Sequence, residues 1–211
     1  TVYSHLMRKY EGRVISFEPV SVNCRAFLWN TKNLKNLQLL SFGLGATSES
    51  ISLGIPKYAK GLQKDTKNTG LLSASAEVDS EASIFKSSSY PLDAISSGVI
   101  GEHESIVFIK IDVEGYELQA ITGARDIIRS HMPMMEVEFN PLTTIKKDAQ
   151  EILQSMYALG YLSFSDIEFS FERPANVFFV NGKDANLVSL FRSFNGLIAF
   201  DASKNTENTP S

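Results

Sequence analysis

The segment Ile106–Glu117 reads IVFIKIDVEGYE and carries the strongest structural signal in the chain. Its first half, Ile106–Ile111, is nearly continuous in β-branched and aromatic residues, which is typical of a central parallel strand covered on both faces. Acidic residues and a glycine follow at once, so the strand ends in a turn. Apolar residues at helical spacing then predict one amphipathic helix that ends near His131. These apolar residues are Leu118, Ile121, Ala124 and Ile128.

Upstream of this segment, the first residues alternate between helix and strand patterns. Val2–Tyr10 predicts a helix, and Val14–Phe17 predicts a short strand. That strand ends at Glu18 and Pro19, because proline has no backbone N–H to donate to a continuing sheet. Glu18 is therefore expected at the C-terminal tip of a strand.

The next elements continue the same rhythm. Ser21 is the expected cap of a second helix, and Asn36–Phe42 is the expected second strand, closed by Gly43 and Gly45. A strand, a helix and a further strand in this order favour an α/β fold with a parallel sheet.

A long middle segment, Thr47–Pro91, is rich in Ser, Thr, Gly and Lys. Ile51, Leu53 and Ile55 nevertheless alternate with polar residues, which indicates short strands. The other interpretation is a flexible surface insertion, in which Lys57–Gly70 is the most mobile part.

Downstream of the strongest segment, the alternation resumes. Met134–Phe139 predicts a strand, and Asp148–Leu159 predicts a helix closed by Gly160. Tyr161–Phe164 and Val177–Val180 predict strands that form a hairpin-like pair.

The length and composition favour one domain. A chain of 211 residues, 43% hydrophobic and 21% charged, can bury one sizeable core. We expect one α/β domain over residues 1–200, with residues 47–91 as a variable insertion and residues 201–211 as a disordered tail.

The charge and cysteine content limit the possible partners. The net charge of −4 and the lack of a long basic cluster give no reason to expect nucleic acid binding. Cys24 is the only cysteine, so neither an intrachain disulfide nor a cysteine-based metal cluster can form, and a reducing cytoplasm fits best. No apolar run is long enough to span a membrane.

Acidic residues stand at three predicted strand ends. They are Glu18, Asp112 with Glu114, and Glu138 with Asn140. In an open parallel sheet, ligands bind beyond the carboxyl ends of the strands, so we expect these groups to meet at one rim. A carboxylate such as Glu18 can accept hydrogen bonds from ribose hydroxyls, although a solvated turn residue or a helix cap would look the same.

The turn from Asp112 to Glu117 packs several acidic groups together, and their mutual repulsion needs a compensating partner. A cationic ligand with a sulfonium or ammonium group would provide it. The alternative is that Glu114 and Glu117 only favour the positive end of the following helix. Glu117 and Arg125 are expected to be ordinary helix-face residues.

Two of these segments together resemble the FkbM family of S-adenosylmethionine-dependent methyltransferases. They are VISFEP at Val14–Pro19 and, above all, FIKIDVEGYE at Phe108–Glu117. Shorter matches follow in the family's order, and the resemblance covers roughly residues 3–180, poorly in the middle insertion. The shorter matches are Gly123-Ala124-Arg125, His131-Met132-Pro133, Glu138-Phe139-Asn140 and Leu159-Gly160-Tyr161.

The resemblance implies a class I methyltransferase fold, which is a Rossmann-like, mostly parallel sheet with an antiparallel C-terminal strand. It also implies methyl transfer from S-adenosylmethionine to a hydroxyl of a small molecule or glycan. The implied cofactor-binding residues are Glu18 for the ribose, Gly43 and Leu44 near the adenine, Asp112 near the methionyl part, and also Pro19, which follows Glu18. The implied catalytic residues are Asp112, Glu114 and Glu138.

The family's first strand and its glycine-rich loop have no counterpart in this chain. In the complete fold that strand lies between the strands at Val14–Phe17 and Ile106–Ile111, and its absence would leave two edges with unpaired backbone groups. We therefore expect an upstream segment in the natural protein, and we expect this chain alone to bind the cofactor poorly.

Two other classes of function stay open. One is another nucleotide-dependent enzyme, against which the Asp112–Glu117 segment argues, and the other is a non-catalytic Rossmann-like module. The general base cannot be assigned from the sequence, since His5, His103 and His131 are only weak candidates. No metal is expected, because the acidic tips are spread over separate strands and a sulfonium methyl donor needs no Lewis acid.

Overall fold

A computed structural model describes residues 12–54 and 84–203, which form an α/β fold with ten strands and six helices. The strands are β1 Val14–Phe17, β2 Leu37–Leu40, β3 Gly43–Leu44, β4 Glu49–Leu53, β5 Phe85–Tyr90, β6 Phe108–Ile111, β7 Met134–Phe139, β8 Tyr161–Ser165, β9 Ala175–Asn181 and β10 Ile198–Phe200. The helices are α1 Ser21–Thr31, α2 Leu92–Val99, α3 Glu117–Thr122, α4 Arg125–His131, α5 Lys146–Ala158 and α6 Ala185–Ser193. The predicted helix at Val2–Tyr10 lies outside the described residues.

The first two strands form a parallel pair connected by α1, as the sequence predicted. The expected cap at Ser21 is wrong, because Ser21 is already the first helical residue and no side chain caps this helix. The turn before α1 is held instead by the Glu18 carboxylate, whose Oε1 accepts a hydrogen bond from the Val20 N–H at 2.8 Å.

The predicted strand Asn36–Phe42 is shorter than expected and ends at Leu40. Gly43 does not close it but begins β3, which pairs in parallel with β5. The chain turns here because the Phe42 ring packs between the rings of Phe17 and Tyr90, with centroid distances of 5.7 and 5.2 Å.

The middle segment contributes a small three-stranded sheet in the order β3-β5-β4. Ile51 and Leu53 are buried on β4, which confirms their alternation as a strand signal. Residues 55–83, which include Ile55 and the segment Lys57–Gly70, lie outside the described residues. The interpretation of that part as a flexible insertion stays a prediction.

The largest sheet has five strands in the order β10-β8-β9-β7-β6. Strands β6 and β7 are parallel, β9 is antiparallel to both β7 and β8, and β10 is antiparallel to β8. The pairing of β8 with β9 confirms the predicted terminal pair. Strands β6, β7 and β8 run in the same direction, but the expectation of a single antiparallel strand is wrong for this sheet, because β10 adds a second one to β9.

Strand β6 was expected to be central and covered on both faces. Within the described residues it pairs only with β7, and Val107 and Phe108 are 58% and 38% exposed. The β1–β2 pair is not hydrogen-bonded to it. The expected further strand between β1 and β6 therefore stays a prediction.

The single helix expected from Leu118 to His131 is wrong, because the chain forms two helices, α3 and α4, separated at Gly123 and Ala124. Gly123 lies so close to the carbonyl oxygen of Gly45 that any Cβ would overlap it. The first turn of α4 is capped by a residue of α2. The Asp93 carboxylate accepts hydrogen bonds from the Asp126 and Ile127 N–H groups at 3.0 Å each.

The main hydrophobic core lies between the five-stranded sheet and the helices α3, α4 and α5. Phe17 of β1 and Leu44 of β3 pack against it, so one core supports all three sheets. A smaller core beneath α6 contains Phe164, Val180, Val188 and Phe191. The boundaries of the predicted domain at residues 1–200 stay a prediction. None of the described helices is long and apolar enough to cross a membrane.

Candidate active site

Two parallel strands bring the central acidic residues to the same edge of the sheet. Ile111 at the end of β6 pairs with Val137 of β7. The residue that follows each of these two is an acid, namely Asp112 after Ile111 and Glu138 after Val137. The parallel register alone makes these two carboxyl groups neighbours.

Three carboxyl groups converge at this edge. One oxygen each from Asp112, Glu114 and Glu138 lies within 4.8 Å of the others. We name these three residues the acidic rim. Asp112 is exposed and the two glutamates are half-buried, so the rim faces solvent on one side and protein on the other.

The closeness of the rim residues changes their protonation. A hydrogen bond to Asp112, burial, and the negative charges of Asp112 and Glu114 together raise the pKa of Glu138 to about 7. The positive charge of Lys110, on β6, opposes this rise in pKa. Its Nζ lies 2.9 Å from Glu136 Oε1 and 3.5 Å from Asp112 Oδ2. Near neutral pH, Glu138 is therefore present in two protonation states. The protonated form donates a hydrogen bond to Asp112, and the ionised form can act as a base.

Glu114 occupies an unusual turn. Its φ of 51° is left-handed, which is uncommon for a residue other than glycine, and Gly115 follows with a φ of 93°. Burial raises the pKa of Glu114, and the charges of Asp112 and Glu117 raise it further, while a hydrogen bond to Thr143 opposes them. The turn aims Glu114 back toward Glu138 instead of along the helix.

Glu117 is not the ordinary helix-face residue that we expected. It is 2% exposed, and its carboxylate accepts hydrogen bonds from the Gly115 N–H at 2.9 Å and the Thr144 hydroxyl at 3.0 Å. Arg125 is exposed at the start of α4, which agrees with the expectation for it. The sequence could not reveal the burial of Glu117, because its partner Thr144 lies 27 residues away.

The four remaining cofactor candidates lie directly after β1, namely Glu18 and Pro19, and in β3, namely Gly43 and Leu44. Glu18 is half-buried, and burial raises its pKa, but it is not one of the three carboxyl groups that meet at the acidic rim. Pro19 and Gly43 are neighbours, since a Cβ on Gly43 would lie 3.8 Å from Pro19 Cβ. Leu44 packs against the main core that also contains Ile111.

Tyr116 joins the small three-stranded sheet to the turn, a contact that the sequence did not predict. Its hydroxyl donates to Glu49 Oε1 at 3.0 Å. Burial, together with this bond to a carboxylate, raises the pKa of Tyr116 to about 12. Tyr116 therefore keeps its proton at neutral pH and holds the middle segment against the acidic rim.

The described histidines do not contribute to the acidic rim. His131 accepts a hydrogen bond from the Ile106 N–H through Nδ1 at 3.2 Å, which fixes the start of the strand region. His103 is exposed in the segment before β6. His5 lies outside the described residues.

The carboxylates of the site favour a positively charged ligand. The rim offers carboxylate oxygens, which attract positive charge, and Glu18 offers a further carboxylate that can accept hydrogen bonds. The expectation of no metal stays a prediction. It rested on acids that come from separate strands, although the rim brings one oxygen each of Asp112, Glu114 and Glu138 within 4.8 Å of one another.

The comparisons with known proteins agree with this fold. The family model described as methyltransferase FkbM domain matches residues 1–163. A crystal structure of methyltransferase FkbM from Methylobacillus flagellatus KT is similar to this chain with a TM-score of 0.51 and 16% sequence identity. The similarity covers 84% of this chain but 39% of that one. No curated protein matches the chain. Because the family model covers well over half of its residues, the chain belongs to the FkbM methyltransferase domain family.

Proposed function

We propose that this domain belongs to an S-adenosylmethionine-dependent O-methyltransferase that acts on a hydroxyl group of a small molecule or glycan. The observation that carries the proposal is the acidic rim, in which the pKa of Glu138 is raised to about 7. A carboxyl group with a pKa near neutral is well suited to general base catalysis at neutral pH.

The cofactor would be held on one side by the residues after β1 and in β3, and on the other side by the acidic rim. Glu18 would accept hydrogen bonds from the ribose, and Pro19 with Gly43 and Leu44 would border the adenine. The contact between Pro19 and Gly43 supports a common role for them. Asp112 would attract the charged methionyl end. When bound, S-adenosylmethionine supplies a methyl group already activated by its sulfonium.

The acceptor hydroxyl must lose its proton when it attacks the methyl carbon. The Glu138 carboxylate would accept this proton, while Asp112 and Glu114 raise its basicity through their negative charges. Glu114, in its left-handed turn, would orient the acceptor on the same side. Alignment of the reacting groups would provide most of the rate enhancement, and the base about 10²–10⁴-fold of it.

A direct test measures the transfer of a labelled methyl group from S-adenosylmethionine to a panel of hydroxylated sugars and phenols. The enzyme is expressed from its complete natural coding sequence. We expect O-methylated product, and a loss of about 10²–10⁴-fold in kcat for Glu138→Gln. Glu151→Gln, which removes an exposed carboxylate on α5, is the matched control and should keep the wild-type rate.

Two results would contradict the proposal. One is transfer to nitrogen or sulfur acceptors only. The other is a Glu138→Gln variant with unchanged kcat. The cytoplasmic location, the absence of nucleic acid partners and the disordered tail at residues 201–211 stay predictions.

A further inference from the structure

The buried carboxylate of Glu117 connects the two loops that follow β6 and β7, next to the acidic rim. On one side it accepts a hydrogen bond from Gly115 N–H at 2.9 Å, and backbone groups of Val113 and of Glu117 itself also hydrogen-bond to it. On the other side it accepts a hydrogen bond from the Thr144 hydroxyl at 3.0 Å. The first loop follows β6 and contains Asp112 and Glu114, whereas the second follows β7, whose last two residues are Glu138 and Phe139.

The second loop is rigid enough to act as an anchor. The N–H groups of Thr143 and Thr144 both donate to the carbonyl oxygen of Asn140, at 2.9 and 2.7 Å. The Asn140 side chain in turn accepts a hydrogen bond from the Leu142 N–H at 3.1 Å. Thr143 and Thr144 are both buried.

Adjacent threonines of this loop each hydrogen-bond to one glutamate, one in the loop after β6 and one at the start of α3. Thr143 hydrogen-bonds to Glu114, and Thr144 hydrogen-bonds to Glu117. Glu114 is thereby kept in a left-handed conformation that a non-glycine residue would otherwise tend to leave. A residue that only favoured the positive end of a helix would not need to be 2% exposed.

We infer that Glu117 is a positioning residue, whose carboxylate ties the Asp112–Gly115 turn to the Asn140–Thr144 loop and thereby sets the distance between Glu114 and Glu138. The effect of this positioning on catalysis rests on the proposed function, whereas the positioning itself does not. Glu117 would touch neither the cofactor nor the acceptor.

The pKa of Glu138 reports this distance without any substrate. The charged groups that face Glu138 are Asp112 and Glu114 from the turn and Lys110 from β6, and Glu117 is not among them. A variant that releases the turn therefore changes this pKa through geometry. Carboxyl carbon NMR of the protein, expressed from its complete natural coding sequence, follows the titration of Glu138 directly.

We expect Glu138 of the wild type to titrate at about 7. In Glu117→Ala, it should titrate lower by about one pH unit or more, because the released turn carries both Asp112, which hydrogen-bonds to Glu138, and the like charge of Glu114. Glu117→Gln should keep the wild-type value, since an amide can still accept from Gly115 N–H and donate to the Thr144 hydroxyl. Glu151→Gln on the exposed face of α5 is the charge control and should have no effect.

A folded Glu117→Ala variant with an unchanged Glu138 titration would overturn the inference. If this variant does not fold, Thr144→Val gives the answer, because it removes one hydroxyl and should lower the titration by about half a pH unit. A folded Thr144→Val variant without any shift would equally overturn it. Failure of methyl transfer with the expected titrations would refute the proposed function alone.

Discussion

Replacing Glu138 by glutamine should change how the stability of the domain depends on pH. The pKa of Glu138 is raised from 4.5 to about 7 by its hydrogen bond to Asp112, by burial and by the charges of Asp112 and Glu114. Its protonated form is therefore the one that the folded state favours. The stabilisation is fully present below the ordinary pKa of 4.5 and is lost as the pH rises through about 7.

The size of the effect follows from the two pKa values. A rise from 4.5 to about 7 corresponds to about 3 kcal/mol, because each pKa unit is worth about 1.4 kcal/mol. Glu138 is only half-buried, so solvent screening reduces the expected change to about 1–2 kcal/mol. Glutamine keeps the shape and a hydrogen-bond donor but cannot ionise.

The assay is urea unfolding of the wild type and of Glu138→Gln at about pH 5 and about pH 9. At the lower pH the two free energies of unfolding should agree within about 0.5 kcal/mol, and at the higher pH the variant should be more stable by about 1–2 kcal/mol. Glu151→Gln should show no such difference. Equal free energies at both pH values, or a variant that is less stable at high pH, would refute the reasoning.

Two further predictions concern the packing that supports the site, and urea unfolding tests both. Gly123→Ala should lower the free energy of unfolding by about 2–3 kcal/mol, because its Cβ would overlap the Gly45 carbonyl oxygen, whereas Gly98→Ala, with open space around it, should raise the free energy by about 0.5–1 kcal/mol. A destabilisation of the same size at both glycines would contradict this. Tyr161→Phe should cost about 1–3 kcal/mol, because it leaves the buried carbonyl oxygen of Pro133 without its 2.9 Å hydrogen bond, and an unchanged free energy would contradict that contact.

The strands that position the acidic rim could be predicted from local sequence. Met134–Phe139 was predicted with its observed bounds, and the apolar run at Ile106–Ile111 contains the observed β6. Two parallel strands that each end in an acid bring those acids together, so the meeting of Asp112 with Glu138 followed from the fold class.

The contacts that shape the rim depend on residues far apart in sequence. The helix break at Gly123 comes from its approach to Gly45, and the burial of Glu117 comes from its bond to Thr144. A helical pattern gives no sign of either, because tertiary contacts override local propensity.

The last helix and strand were missed although a local signal existed. Asp184 accepts a hydrogen bond from the Leu187 N–H, and Val188 and Phe191 supply the buried face of α6. An aspartate followed by apolar residues at helical spacing is an ordinary helix start. Strand β10 then follows after Gly196, which has a φ of 124°.

The central claim is that Asp112, at the end of β6 and beside the proposed base Glu138, binds the charged methionyl end of the cofactor. Titration calorimetry with S-adenosylhomocysteine, on protein expressed from its complete natural coding sequence, tests it most directly. We predict that Asp112→Asn weakens binding by about tenfold or more, since a charged hydrogen bond to the ammonium group is lost, and that Glu151→Gln binds like the wild type. Equal affinity of Asp112→Asn and the wild type would contradict the claim.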